Sequence, residues 1–92
     1  MSTLRSDPVV SGEDYVVEEV GGRPPRDLDD FTGETVFRLS RGALGHEVVG
    51  LGTAVDGAVR VFEKDGSPGG KDVRVWRVRR DDDGFRAVHT AP

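Results

Sequence analysis

Valine-rich runs of alternating polarity, each soon cut by glycine or Asp-Gly, constrain this chain more than any other feature. Fifteen of the 92 residues are Val, thirteen are Gly and none is Ile. A β-branched side chain loses rotamer freedom in a helix but packs well on a pleated surface, and glycine supplies the backbone freedom of tight turns. Six runs read as strands. Asp14–Val20 is stopped by Gly21-Gly22 and then Pro24-Pro25. Glu34–Ser40 places Thr35, Phe37 and Leu39 on one face and Val36 and Arg38 on the other. Glu47–Val55 places Val49, Leu51, Thr53 and Val55 on one face, with Val48, Gly50, Gly52 and Ala54 opposite. A glycine-lined face admits a neighbouring backbone or a large side chain at close range. Ala58–Glu63, Asp72–Arg80 and Phe85–His89 complete the set.

The connections have hairpin length. Arg41–Gly45 carries glycine turn signals, Asp56-Gly57 has the composition of a two-residue hairpin, and Asp81-Asp82-Asp83-Gly84 turns the fifth strand into the sixth. Residues 64–71 read as a longer, mobile hairpin loop. Between the first two strands, Leu28 and Phe31 stand three apart, with Pro25 before them and Gly33 after. That spacing predicts one helical turn. The expected fold is all-β: a small antiparallel barrel or sandwich of about six short strands, with at most one short helical turn. Residues 1–12, small, polar and interrupted by proline, read as a flexible arm before a single domain spanning 13–90.

A domain of this size buries only about 60–65% of its unfolded surface. With no Cys, the chain has neither a disulfide nor a Cys-ligated metal to staple it, so self-association or docking on a protein partner is expected. No apolar run has the length of a membrane span, and the polar stretch Met1–Pro8 lacks the apolar centre of a signal peptide. The expected setting is therefore the cytoplasm or a virion, with no membrane partner.

The formal charge is −4. Residues 1–46 hold five Arg and nine acids, whereas residues 47–92 hold eight basic and eight acidic groups. An acidic total disfavours bulk binding to nucleic acid or anionic lipid. Arg outnumbers Lys eleven to two while Ile, Asn and Gln are absent, a pattern that GC-rich coding explains without any role in phosphate recognition.

Few residues form a chemical constellation. His46 and His89 are the only histidines; neither belongs to a helical His-x-x-x-His pair, and both read as exposed strand-end residues rather than catalytic bases. No Gly-x-Ser-x-Gly elbow is present. Asp27-Leu28-Asp29-Asp30 and Asp81-Asp82-Asp83 offer carboxylates, but the second lacks the alternating spacing and distal Glu of a calcium loop, and turn chemistry suffices for it. Gly42-Ala43-Leu44-Gly45 has the spacing of a nucleic-acid backbone clamp but strand-like flanks in place of helices, and Gly50-Leu51-Gly52 lacks the third glycine of a dinucleotide fingerprint.

The last three strands are the most informative. If Val59, Val61, Val73 and Val75 face inward, Arg60, Arg74 and Arg86 align across neighbouring strands with Trp76 near them. Arg and Trp on an open sheet suit a protein hot spot or a single-stranded nucleic acid. The plainer alternative is a polar outer face on which these arginines pair with Glu63, Asp72 and Asp81–Asp83. Trp76 and Val78 have the parity opposite to Val73 and Val75, so this strand can be buried on both faces, and a core short of large residues is the expected home of Trp76. The chain is expected to be a non-catalytic interaction module without a cofactor or metal, docking on like or unlike protein subunits, as an accessory subunit of a virion does. The alternative is a small barrel that binds single-stranded nucleic acid through Arg60, Arg74, Trp76 and Arg86. A hydrolase or metal enzyme built on His46, His89 and acidic residues ranks third.

Overall fold

A computed structural model describes residues 12–64 and 72–90. The expected arm at residues 1–11 and the loop at 65–71 lie outside the described residues. Six strands follow one another: β1 (Tyr15–Val20), β2 (Gly33–Arg41), β3 (Leu44–Val55), β4 (Ala58–Lys64), β5 (Asp72–Asp81) and β6 (Gly84–Thr90). Each pairs antiparallel with the next, and β6 returns to β1 to close a barrel. Closure distinguishes the barrel from the sandwich, and the seam is the short ladder Tyr15↔Ala87 and Val16↔Arg86.

The turns follow from the residues in them. Asp56 (φ 43°) and Gly57 (φ 78°) both take the left-handed region, as a type I′ hairpin requires. Gly42 (φ 64°) and Ala43 alone join β2 to β3, so β3 begins at Leu44, three residues earlier than its valine pattern suggests. On β1 the register slips between Val17 and Glu19. That bulge switches the facing of the strand, so Tyr15, Val17 and Val20 all reach the interior despite their uneven spacing.

The core is built from alternate residues: Phe37 and Leu39 of β2, Val48 of β3, Val59 and Val61 of β4, Trp76 and Val78 of β5, and Phe85 and Ala87 of β6. One end of the barrel is plugged by a 3-10 turn, η1 (Leu28–Phe31). Phe31 enters the interior fully buried, its ring 5.4 Å from that of Phe37 and 5.6 Å from that of Phe85. A Cβ on Gly52 would overlap the Phe31 carbonyl oxygen, so the glycine face of β3 is what lets the plug seat. Gly50 likewise lies against the Phe62 carbonyl of the next strand.

The acidic stretch at 27–30 caps this turn. Asp27 Oδ1 accepts from the Asp29 amide at 2.9 Å, and Asp30 Oδ2 accepts from the Arg26 and Asp27 amides at 2.8 and 3.2 Å. Those two amides hold the Asp30 carboxyl below the usual carboxylate range. Arg80 ties the plug to the wall, donating to the Arg26 carbonyl at 2.8 Å while its guanidinium lies 5.2 Å from the Phe85 ring centroid. Among the described residues no helix is long and apolar enough to cross a membrane.

Candidate interaction surface

At the end opposite the plug, the interior is polar. Inward positions of β3, β4, β5 and β6 bring His46, Glu63, Arg74, Trp76 and His89 together. Glu63 is 6% exposed. Its carboxylate accepts from Trp76 Nε1 at 2.7 Å and from Arg74 Nη1 at 3.0 and 3.1 Å, and His46 Nε2 stands at 3.3 Å. Trp76 is fully buried, with the His89 ring at 5.1 Å, the Tyr15 ring edge-on at 5.6 Å and the His46 ring at 6.0 Å. Burial works to raise the Glu63 carboxyl, but the contacts from His46, Trp76 and Arg74 outweigh it and hold the group below its ordinary value. A carboxylate so committed is a weak base and a good anchor. The expectation of exposed histidines is corrected here, because His46 has the same facing as Val48 and His89 the same as Ala87.

The proposed Arg and Trp face separates into two sides of the wall. Arg74 and Trp76 point inward, and Arg74 pairs with Glu63 on the inner side of the wall, not on the polar outer face of the plainer alternative. Arg60 and Arg86 point outward on β4 and β6, with β5 between them. Val59 and Val61 are interior, but Val75 is on the outer side, half-buried opposite Phe62. The alignment of Arg60, Arg74 and Arg86 therefore fails at β5. The indole gains more from the dry interior than a valine does, and it sets the facing of that strand. Arg86 also finds its expected counter-ion, with Nε 3.2 Å from Asp81 Oδ2.

Two outer features take the place of that face. The first is apolar. Val36 of β2 is directly opposite Val49 of β3, and Leu51, Phe62 and Val75 stand in register across β3, β4 and β5. Val36, Val49 and Leu51 are 41%, 49% and 47% exposed. They border an open groove of about 560 Å³ whose rim carries Glu34 and Lys64. β3 thus turns Val49 and Leu51 to solvent, while Gly50 and Gly52 share the inward side with Val48.

The second feature consists of the arginines that do share a face with Arg60 and Arg86. These are Arg77, opposite Arg60, and Arg79, opposite Arg86. Sequence reasoning missed them because it left the facing of β5 open and drew its arginine set from the facing with Val73 and Val75 inward; the parity that buries Trp76 and Val78 puts Arg77 and Arg79 outside. Among the described residues, no three His, Asp or Glu side chains converge in a metal-binding arrangement. No family model, curated protein or solved structure matches the chain.

Proposed function

We propose that this barrel is a non-catalytic interaction module that docks on other protein subunits, of its own kind or another, through the outer face of β2–β5. The observation that carries this reading is the exposed apolar set Val36, Val49 and Leu51, continuous with Phe62 and Val75 across four strands. Exposed contiguous apolar patches mark interaction sites on soluble domains. A closed barrel offers little free strand edge to a partner, which favours docking through a face.

Light scattering on the purified chain over a concentration series tests the like-subunit form. Association that disappears in Leu51→Asn, with the fold retained, is the expected result. A wild-type chain that stays monomeric at the highest concentration, with Leu51→Asn indistinguishable from it, removes that form and leaves a different chain as the partner.

A single-stranded nucleic acid is the second reading. The outward arginines favour it, but Trp76, its stacking residue, is fully buried.

A further inference from the structure

The apolar stripe leaves the arginines beside it unexplained. Arg60 stands directly opposite Arg77 on the β4–β5 ladder, and Arg79 directly opposite Arg86 on the β5–β6 ladder. Arg77 and Arg79 are two apart on β5, so four guanidinium groups form one unbroken diagonal across three strands. Arg60, Arg77 and Arg79 are exposed, and none of their side chains has a hydrogen bond or ion pair with a described residue. Arg86 has Asp81 alone.

Like charges directly opposite each other destabilise a sheet. Coding bias accounts for how many arginines the chain has, not for their placement. Elsewhere Arg41 meets Glu13, Arg74 meets Glu63 and Arg80 meets the Arg26 carbonyl. Among the described residues, cross-strand arginine pairs occur only along this diagonal.

The diagonal abuts the apolar row. Phe62 is two residues from Arg60 on the outer side of β4, and Val75 is two from Arg77 on β5. We infer that this face binds an acidic polypeptide segment, whose carboxylates seat on Arg60, Arg77 and Arg79 while its apolar side chains lie on Leu51, Phe62 and Val75. The inference rests on the protein-docking reading above and specifies the partner's chemistry.

A guanidinium fork matches carboxylate and phosphate alike. The adjoining apolar row favours a polypeptide, because interfaces combine aromatic, aliphatic and Arg side chains in this way. The net charge of −4 and the burial of the single Trp both weigh against a nucleic acid.

Fluorescence anisotropy at low ionic strength tests it with three labelled probes: a short peptide alternating Glu and Leu, the same peptide with Gln for Glu, and an oligothymidylate of matching length. The Glu peptide should saturate, the Gln peptide should not, and added salt should weaken binding. The double variant Arg77→Gln/Arg79→Gln should weaken it about tenfold, while Arg23→Gln, off the diagonal, should not. Thermal melts supply an independent readout: free Arg77→Gln should melt at or above the wild-type temperature, since it removes a like-charge pair. A lower melting temperature makes the diagonal structural and overturns the inference. So does failure of the Glu peptide to bind, or tighter binding of the oligothymidylate. Loss of binding in Leu51→Asn but not in the arginine variant overturns the acidic partner and leaves the docking reading. Dependence on the arginines but not on Leu51 sustains the acidic ligand and removes apolar docking.

Discussion

Glu63 shows how one residue determines the behaviour of the barrel's polar end. Its folded carboxyl titrates below the ordinary value of 4.5. The stabilisation it provides is therefore complete above that value and is lost as the pH falls through the folded pKa. Urea midpoints followed by the emission of Trp76 should fall between pH 7 and pH 3. In Glu63→Gln that acid limb should flatten. The same substitution should cost about 2–4 kcal/mol at pH 7, because it strands the Arg74 guanidinium without its counter-charge, less whatever solvent recovers at that partly exposed group. A variant as stable as wild type at pH 7, with an unchanged acid limb, would show that the cluster is not what the barrel end rests on. At this scale the sequence was only partly legible. Glu63 and His46 have the interior parity of Val61 and Val48, but a charged residue on a strand reads as surface until its partners are known, and those partners lie up to 28 positions away.

At the scale of elements, the glycine face of β3 was readable and its consequence was not. Alternation showed Val48, Gly50 and Gly52 on one side, and close approach of another backbone followed from the missing Cβ atoms. Which backbone approaches depends on η1 folding into the barrel's end, with the Phe31 carbonyl over Gly52. Gly52→Ala should cost about 1–3 kcal/mol by forcing the plug outward. The cost should appear as a lower melting temperature together with faster amide exchange at Leu28–Phe31. Unchanged exchange there would mean that the plug does not seat on β3. The bulge in β1 illustrates a different limit. The spacing of Tyr15, Val17 and Val20 fits neither a regular strand nor a helix, and only pairing with β2 shows where the extra residue is absorbed.

For the whole molecule, closure is the decisive feature and its seam is the shortest ladder. β1 meets β6 through the pairs Tyr15↔Ala87 and Val16↔Arg86, whereas β2 and β3 stay in register from Gly33↔Gly52 to Arg41↔Leu44. Native-state hydrogen exchange should therefore find β1 and β6 opening together, at lower free energy than β2 and β3. Equal protection around the barrel would refute this. Closure also leaves strand edge free only beside that short seam, and the docking reading and the acidic-partner inference both rest on outer faces.

By itself the sequence determined the all-β class, the number of strands, the hairpin positions and the single helical turn, because turn chemistry and period-two alternation act over a few residues. It also determined that β3 has two glycines, Gly50 and Gly52, on the face that carries Val48. Only the tertiary structure decided between barrel and sandwich, the inward facing of β5, and the membership of the arginine diagonal. Alternation says which residues share a side of a strand but not which side is dry. That choice goes to the facing that buries the most apolar surface across all six strands at once, and on β5 it placed Trp76 inside and Arg77 and Arg79 in solvent.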